Sequence, residues 1–407
     1  MIGYSEALAL VISRARVMAV ESVPIDRALG QVLAGDVVAA FPIPPFSSSA
    51  VDGYAVRARD VAGATAGHPV TLRLAAAVQA GDSAPARLKP LQAFRIYTGA
   101  PVPPGVDAVV MQERVQSTGG LVTLVSPARK GDNIRRRGEE FRAGRTVLRR
   151  GTLVTPPVVG LLATLGCHRA RVHRKPRVAI VVTGNELRSP GRALPGGAIY
   201  DSNSPSLAAS LAALGLPPVL RLRARDSAPK IEAALVRALR AADVVISAGG
   251  VSVGDHDLVR DVCRSIGIRR VFWRVAIKPG KPNFFGTRGK KLFFGVPGNP
   301  VAALLSFQLL VRPALSVMMG TTSAPALPLT ARMEVGATKK TGRAEFLRAT
   351  LRADEHGELL ARPVRGQDSH MLGGLATADC LVRFPERASE LRAGEKVTVT
   401  LLRWSRG

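Results

Sequence analysis

A glycine-rich segment at residues 247–257, SAGGVSVGDHD, lies between an apolar run that predicts a buried strand and a predicted helix. Gly249, Gly250 and Gly254 let the backbone approach an anion, and exposed amides in such a loop, beside Ser252, can hold a phosphate group. Ligands of open α/β sheets usually bind in loops of this kind. The alternative interpretation is a glycine turn with a solvated acidic helix cap.

Three carboxylates are predicted at the same edge of one parallel sheet. Glu186 follows the first predicted strand, Asp226 follows the second, and Asp257 ends the glycine-rich segment. Grouped hard oxygen ligands beside phosphate-binding amides suit Mg²⁺ and phosphoanhydride chemistry. Taken singly, each carboxylate is explained equally well as a helix cap or a surface charge.

Two positive side chains, Lys278 and Lys281, stand in a loop that prolines and a glycine stiffen, and this arrangement suits an oxyanion clamp. Pro297, Asn299 and Pro300 then open a long apolar helix, whose first amides and dipole favour anions. A basic turn followed by an ordinary helix start is the alternative. No Ser/His/Asp or Cys/His pattern predicts a nucleophile.

Other polar segments are less informative from their residue types alone. Asp52 and Thr98 each lie in a tight turn, and Arg135 and Glu140 belong to a charged run that is typical of a solvated loop. None of these four residues predicts a site without further information.

The elements that must position these loops form four predicted regions. Residues 1–40 with 145–175 form an N-terminal cap, and residues 41–144 contain short β-type runs between Gly, Pro and Ser clusters, which predicts a small β module. Residues 176–323 alternate strands with helices, which requires parallel pairing through crossovers. Residues 324–407 alternate apolar and polar side chains and predict a terminal β-barrel-like domain. The predicted strands of the α/β module are 178–182, 219–223, 244–247, 271–276 and 292–295.

Composition limits the class of protein. The 407 residues include 57 Lys and Arg against 30 Asp and Glu, a net charge of +27 that attracts phosphorylated ligands. Nucleic acid is disfavoured as a partner, because the arginines are spread along the chain and only 4% of residues are aromatic. We expect a cytoplasmic protein with no membrane association. The three cysteines are scattered, the N-terminus does not resemble a secretory signal, and Arg312 and Pro313 interrupt the apolar stretch at 300–319.

The ordered motifs of the whole chain resemble the molybdopterin molybdotransferases, the family that includes bacterial MoeA and the E domain of gephyrin. The matching segments are PPF at 44–46, VDGYA at 51–55, TGAPVP at 98–103, AVVMQE at 108–113, NIRRRGE at 133–139, TGNEL at 183–187, YDSN at 200–203, GGVSVGDHD at 249–257, IKPGKP at 277–282, VPGNP at 296–300, GRAEF at 342–346 and QDSH at 367–370. The resemblance implies an α/β module like that of MoaB and MogA.

The resemblance also assigns roles to residues. It implies that Asp52, Thr98, Glu186, Asp226 and Asp257 serve catalysis, with Glu186 and Asp257 as the Mg²⁺ ligands. The residues implied to bind substrate are Arg135, Asp201, Asn203, Gly249, Gly250, Ser252, Gly254, Lys278, Lys281, Pro297, Asn299, Pro300, Arg343 and Ser369. Among these, Lys278, Lys281, Arg343 and Ser369 would hold molybdate, while Asp201, Asn203 and the glycine loop would hold adenylated molybdopterin.

The implied reaction transfers molybdenum from molybdate to adenylated molybdopterin, with Mg²⁺ as cofactor and AMP as product. A homodimer is implied, with a molybdopterin adenylyltransferase and recipient molybdoenzymes as further partners. Three residues depart from the family pattern: Asn185 and Glu140 replace Asp, and Ala302 replaces a Ser implicated in oxyanion contact. Adenylylation of molybdopterin and a non-catalytic scaffold are the alternatives, although the single-domain adenylyltransferases lack the two β regions present here.

Overall fold

The computed structural model describes residues 1–83, 87–250, 258–321 and 329–402. These residues form two compact units. The larger unit comprises Met1–Ala34, Gly151–Pro156 and Arg169–Gly407, and the smaller unit comprises Gly35–Arg150 and Pro157–His168.

The smaller unit contains a six-stranded β-sheet. Its strands, in spatial order, are Ala108–Met111, Gly53–Val56, Gln92–Ile96, Val70–Val78, Leu121–Leu124 and Val115–Thr118. All four residues of Gly53–Val56 are buried, because this strand pairs on both sides and is covered on both faces. Gly53 fits closely there, since a Cβ at this position would lie 2.1 Å from the carbonyl oxygen of Val110. The unit also contains the helix Pro156–Thr164 except for its first residue. Its short strands are Val37–Val38, Ser48–Ser49, Ile134–Arg135 and Thr146–Leu148.

A second six-stranded sheet forms the centre of the larger unit. Its strands, in spatial order, are Leu220–Ala224, Val178–Thr183, Val244–Ala248, Lys291–Val296, Phe284–Arg288 and Arg269–Trp273. The first four strands are parallel and the last two are antiparallel. The loops after the parallel strands therefore meet at one edge of the sheet, which is where ligands bind in folds of this class.

Helices cover both faces of this central sheet. Along one strand, Val178, Ile180 and Val182 pack into one apolar core, whereas Ala179 and Val181 pack into the other. This period of two produces three layers, because successive side chains of a strand point to opposite faces. The helices of the larger unit are Tyr4–Arg14, Asn203–Ala212, Ala228–Ala241, Leu258–Ser265, Pro300–Ser306, Arg312–Met318 and Leu372–Ala376.

The segment Pro300–Met318 is long and apolar enough to cross a membrane by composition, but 72% of its most apolar window is buried inside the protein. Such burial is typical of a core helix. A π-helical turn, Phe307–Val311, interrupts it just before Pro313. Proline has no amide hydrogen to donate to the preceding turn, which accounts for the local change in winding.

The C-terminal region forms a closed five-stranded barrel. Its strands, in order around the ring, are Ala344–Ala353, Leu359–Pro363, Leu329–Met333, Lys396–Leu401 and Cys380–Phe384, which pairs again with Ala344–Ala353. Closure leaves no long unpaired edge. One more short strand, Ile277–Lys278, pairs in parallel with the start of Ala344–Ala353 and joins the barrel to the central layer.

The observed architecture confirms the predicted fold class: an α/β module, a small β module and a C-terminal β-barrel. The predicted strand at 271–276 is shifted, since the observed strand is Arg269–Trp273 and Arg274 has a positive φ of 69°. The strands Gly53–Val56, Val115–Thr118 and Phe284–Arg288 were not predicted. In the N-terminal segment, Val20–Pro24 pairs with Arg169–His173, so residues far apart in sequence are neighbours there.

The three cysteine thiols differ in burial, and we expect them to differ in reactivity. Cys380 and Cys263 are buried, whereas Cys167 is partly exposed. Burial, and to a smaller extent the charge of Asp379, raises the pKa of Cys380 to about 12. Because the thiolate is the reactive form, a thiol reagent at pH 8 should modify Cys167 first in the native protein and Cys380 only after unfolding. Peptide mass spectrometry of a reaction time course checks this order, and early labelling of Cys380 would contradict it.

Candidate functional site

A cavity of about 280 Å³ opens in the larger unit, where the central layer meets the barrel. Its lining residues are Lys278, Pro279, Gly280, Lys281, Pro282, Pro297, Asn299, Ala302, Arg343, Gln367, Asp368 and Ser369. Six of the residues assigned to substrate binding by resemblance therefore line a single cavity, although they come from four separate segments. Three of them carry a positive charge, which suits an anionic ligand.

A short backbone ladder positions the first lysine of this cavity. Ile277 pairs with Ala344 and Lys278 pairs with Glu345 in parallel register. The Lys278 ammonium group lies 3.0 Å from a carboxylate oxygen of Glu345, whose side chain is only 8% exposed. The same ladder places Arg343 next to the lysine loop. Glu345 was not singled out from the sequence, although it lies in the GRAEF segment that also contains Arg343.

The start of the long helix forms another wall of the cavity. The side-chain amide of Asn299 donates to the Ser369 hydroxyl at 2.7 Å, and the backbone amide of Val301 donates to the Ser369 carbonyl at 3.2 Å. Pro300 is the first residue of the helix, where proline costs no hydrogen bond. Ala302 also lines the cavity and is almost fully buried, so this wall presents a methyl group rather than a hydroxyl.

A buried arginine holds the loop that carries Ser369. Arg348 is fully buried, and one of its guanidinium nitrogens donates to the carbonyls of Gly366 and Asp368 at 2.6 and 3.3 Å. Gln367 returns two hydrogen bonds, accepting from the Arg348 amide at 3.1 Å and donating to its carbonyl at 2.9 Å. These contacts fix the backbone of the loop beside the cavity. Burial lowers the pKa of Arg348, although arginine stays protonated in proteins.

Positive charge is concentrated behind the cavity as well as in it. Lys339 donates to the carbonyl of Arg343 at 3.0 Å, and its ammonium group lies 4.9 Å from the centre of the Phe384 ring. Burial lowers the pKa of Lys339, and the charges of Arg343 and Lys278 lower it further against the opposing effect of Glu345. The buried Glu345 carboxylate thus offsets part of a cluster of cations.

A second group of predicted residues lies at the carboxyl edge of the central sheet. The Asn185 amide donates to Asp226 at 3.0 Å, and the Asp226 amide donates to the side-chain oxygen of Asn185 at 3.2 Å. This reciprocal pair ties together the loops after two neighbouring strands. Glu186 is exposed, and its carboxylate lies against Gly184, where a Cβ would approach it to 2.7 Å.

Asp201 and Asn203 have structural contacts at the start of the helix Asn203–Ala212. Asp201 accepts a hydrogen bond from the Ser204 amide at 2.9 Å, as a helix-capping carboxylate does. The Asn203 side chain donates to the Gly298 carbonyl at 2.6 Å, linking this helix to the loop that opens the long helix. Both residues therefore border the loops of the same sheet edge.

Three buried side-chain oxygens at this edge have no hydrogen-bond partner among the residues that the structure describes. They are the hydroxyl oxygens of Thr183 and Ser247 and the carbonyl oxygen of Asn203. An unpaired buried polar atom costs about 1–3 kcal/mol. Such atoms are rare in folded proteins and call for an explanation such as a ligand or a bound water.

Gly249 and Gly250 follow the strand Val244–Ala248 with φ values of 89° and 67°. A Cβ on Gly249 would lie 2.5 Å from the Thr183 carbonyl oxygen, and one on Gly250 would lie 2.4 Å from Val259. Both glycines are therefore required by conformation and by close packing. The predicted residues Ser252, Gly254 and Asp257 lie outside the described residues.

In the smaller unit, Asp52 and Thr98 form a tight pair. One Asp52 carboxylate oxygen accepts hydrogen bonds from the Thr98 amide at 2.8 Å and from the Thr98 hydroxyl at 2.7 Å. These two bonds, and then the charge of Arg95, lower the pKa of Asp52. Arg135 pairs through its backbone with Ser48, and both Arg135 and Glu140 are exposed.

The charge of Arg95 acts on Asp52, and Arg95 itself makes contacts that were not predicted from the sequence. Its guanidinium carbon lies 5.0 Å from the ring centres of both Tyr54 and Tyr97, and it donates to the Gly53 carbonyl at 3.3 Å and to the side chain of Gln112. The backbone amide of Gln112 in turn donates to the Asp52 carbonyl. The sequence signal that could have found Arg95 is its position two residues before Tyr97, because alternate residues of an extended segment lie on the same face.

Comparison with known families and proteins gives consistent matches along the chain. Three family models match successive regions: the MoeA N-terminal region (domains I and II) at residues 2–166, a probable molybdopterin binding domain at residues 179–317, and the MoeA C-terminal region (domain IV) at residues 330–402. The chain is 39% identical over 383 residues to molybdopterin molybdenumtransferase 2 of Mycobacterium tuberculosis H37Rv, covering 93% of this chain and 94% of that protein.

Two further matches agree with these. The molybdopterin molybdenumtransferase of Haemophilus influenzae is 34% identical, with 93% of each chain covered. The crystal structure of the molybdopterin biosynthesis MoeA protein from Pyrococcus horikoshii OT3 superimposes with a TM-score of 0.83 at 32% identity, covering 99% of this chain and 100% of that one.

Fold, cavity and matched regions together define a transferase of molybdenum cofactor biosynthesis. The chain belongs to the molybdopterin molybdenumtransferase family, to which the MoeA proteins belong.

The Asp52 pair generates a prediction about pH. A carboxylate with a lowered pKa stays ionised as the pH falls through the ordinary pKa of Asp, where a free Asp becomes protonated. The stabilising hydrogen bonds are lost only when the pH falls further, through the lowered pKa. Thr98→Val removes the hydroxyl donor, and we expect the Asp52 pKa to rise toward its ordinary value. Carboxyl ¹³C NMR titration of the variant and the unmodified protein measures this difference. Arg95→Gln should cause a smaller rise, while Arg59→Gln, a change at an exposed arginine of the same unit, should cause none.

Proposed function

We propose that the chain transfers molybdenum from molybdate to adenylated molybdopterin, with Mg²⁺-dependent release of AMP. The observation that supports this most directly is the cavity lined by Lys278, Lys281, Arg343 and Ser369. A tetrahedral dianion fits a pocket that offers ammonium groups, a guanidinium group and a hydroxyl, because each can donate to an oxyanion.

In this proposal the cavity residues have separate tasks. Lys278 and Lys281 supply charge, and Arg343 supplies several N–H donors in a fixed plane. Ser369 is held by Asn299 at 2.7 Å, so the position of its hydroxyl is set before the anion binds. Glu345 orients Lys278 and prevents the pocket from carrying its full positive charge without a counterion.

The adenylated pterin would occupy the carboxyl edge of the central sheet. The oxygens of Thr183, Asn203 and Ser247 that lack a partner among the described residues support a polar ligand at this edge, because a ligand that donates hydrogen bonds would remove their cost. Gly249 and Gly250 bring the backbone close to the same place. We assign Ser252, Gly254 and Asp257 to this site from the family resemblance alone.

Mg²⁺ requires hard oxygen ligands, and one or two carboxylates together with substrate phosphates are sufficient. Glu186 and Asp226 supply such oxygens in the described part of the chain, and Glu186 makes no side-chain hydrogen bond or ion pair with the described residues. The described residues hold no group of three His, Cys, Asp or Glu side chains arranged for a metal. We assign Mg²⁺ to Glu186 and, from the family resemblance alone, to Asp257, together with the substrate phosphates, where it would neutralise charge on the phosphoanhydride.

The proposed reaction balances without a further reactant. Two thiol groups of the substrate form two bonds to molybdenum as one molybdate oxygen leaves as water with the two thiol protons. One water adds across the phosphoanhydride bond and yields AMP and the phosphate monoester of the loaded cofactor. No electron transfer is needed, which agrees with a site built from lysines, arginines, carboxylates and hydroxyls.

Purified protein incubated with adenylated molybdopterin, molybdate and Mg²⁺ should release AMP and retain molybdenum in the organic product. We expect Lys281→Ala to weaken molybdate binding by at least about tenfold, because one charge-assisted hydrogen bond contributes about 1.5–3 kcal/mol. Binding of AMP should change much less. Isothermal titration calorimetry measures both affinities.

The matched control for this variant is Lys290→Ala, which removes the same charge at an exposed turn remote from the cavity. Equal loss of molybdate and AMP affinity in Lys281→Ala would indicate a general electrostatic effect rather than an oxyanion site. Absence of AMP release by the unmodified protein would refute the proposed reaction.

We further propose that the active form is a cytoplasmic homodimer that receives its substrate from a molybdopterin adenylyltransferase and passes its product to molybdoenzymes. The three free cysteines suit a reducing compartment. The family resemblance supports the dimer. It implies sites that combine the β module of one subunit, which carries Asp52 and Thr98, with the α/β module of the other, which carries Asp226, Asp257 and the cavity of Lys278 and Lys281 (the lysine cavity). A two-fold dimer would then contain two such sites.

Co-expression of two differently tagged variants, Asp52→Ala and Lys281→Ala, tests this assembly. If each site takes Asp52 from one subunit and Lys281 from the other, the isolated mixed dimer contains one site with no mutation and one with both. Its AMP release should reach about half of the unmodified rate, because symmetry gives one of two sites. An inactive mixed dimer would show that both residues act within one subunit, and a monomer by light scattering would refute the dimer itself.

A further inference from the structure

The central sheet carries a second cavity, of about 340 Å³, at its open edge strand. Its lining residues are Gly184, Asn185, Leu187, Arg188, Arg223, Ala224 and Arg225. The volume falls in the lower part of the range of roughly 300–1,000 Å³ that is usual for small-ligand sites. None of its three arginines was assigned a role from the sequence.

The arginines converge because two parallel strands end side by side. Val182 pairs with Arg223 and Thr183 pairs with Ala224, so the loops after both strands leave the sheet together. Residues 223 and 225 are separated by two positions, which favours the same face of an extended chain. The reciprocal hydrogen bonds of Asn185 and Asp226 join these two loops.

Local contacts fix two of the guanidinium groups without neutralising them. One nitrogen of Arg188 donates to the carbonyls of Asn185 and Leu187 at 2.8 and 2.9 Å, and one nitrogen of Arg223 lies 3.4 Å from the Leu187 carbonyl. These partners are uncharged. No ion pair joins Arg188, Arg223 or Arg225 to a carboxylate in the described part of the chain.

We propose that this cavity binds a phosphate or diphosphate group through Arg188, Arg223 and Arg225. Three guanidinium groups around one cavity repel each other unless an anion lies between them, and guanidinium geometry matches phosphate oxygens in pairs. The cavity is lined almost entirely by polar groups and backbone, with Leu187 and Ala224 as its apolar members. A purely apolar ligand is therefore disfavoured.

During turnover, this cavity would hold the diphosphate of the adenylated substrate, and this part of the proposal rests on the proposed function. Phosphate binding as such is independent of turnover. The glycine-rich loop was the phosphate site expected from the sequence, and the arginine cavity adds a cationic contact at the neighbouring strand ends.

Calorimetric titration with inorganic pyrophosphate, at constant ionic strength and without molybdate, tests the proposal. We expect Arg223→Gln to weaken pyrophosphate binding by at least about tenfold, as the loss of one charge-assisted contact does, and Arg223→Lys to restore part of it. Arg240→Gln removes the same charge at the exposed far end of the helix Ala228–Ala241 and should leave binding unchanged. Thermal unfolding of each variant identifies any that fail to fold, and Arg188→Gln then provides the same test.

A second arm separates this cavity from the lysine cavity. In Lys281→Ala protein, pyrophosphate binding at the arginine cavity should persist, and adding Arg223→Gln should weaken it by the same factor as Arg223→Gln alone does. If Lys281→Ala alone abolishes binding, or if Arg240→Gln weakens it as much as Arg223→Gln, the arginine cavity is not the phosphate site. The AMP-release assay is separate, so its failure would refute the reaction while leaving a measured pyrophosphate site in place.

Discussion

The lysine cavity depends on two residues of backbone pairing between the central layer and the barrel. Ile277 and Lys278 form a parallel ladder with Ala344 and Glu345, and this ladder brings the lysine loop to Arg343. The barrel strand that continues from Glu345 also contains Arg348, which holds the loop of Ser369. One strand of a closed barrel therefore organises three walls of the cavity. Ring closure makes that strand hard to displace, because it pairs with neighbours on both sides.

Charge in this cavity is balanced rather than maximised. A pocket with three cations and no counterion would be costly in a partly buried place, and Glu345 supplies a negative charge at 3.0 Å from Lys278. Lys281 and Arg343 form no ion pair with a carboxylate of the described residues. In the proposed function, a dianion would meet a pocket in which Glu345 and Asp368 offset part of the charge of the three cations, and it would compete with Glu345 for Lys278.

The sequence predicted those parts of the molecule whose signal is local. Alternating strands and helices identified the α/β module, and glycines and prolines marked the loops at its edge. Contacts made across long separations were not predictable from spacing: Lys278 and Glu345 are paired by a ladder between two domains' strands. Gly53–Val56 escaped prediction because burial on both faces removes the alternation that identifies a strand. Phe284–Arg288 is interrupted by Gly286, which packs against Ile268 and Arg269 and has no side chain to reveal a pattern.

The two cavities contain different cations at the same edge of one sheet, and the spacing of the strands sets the distance between the cavities. The arginine cavity follows Leu220–Ala224 and Val178–Thr183, whereas the lysine cavity follows Lys291–Val296. Lys291–Val296 lies two strand spacings from Val178–Thr183 and three from Leu220–Ala224, or about 10–14 Å. Lysine ammonium groups are compact point charges, while guanidinium groups recognise phosphate oxygens in pairs. A substrate whose diphosphate and metal-binding end are separated by about the distance between the cavities would therefore engage both cavities at once. Gly249 and Gly250 follow Val244–Ala248, the strand between the two cavities, and would lie between the two ends of such a substrate.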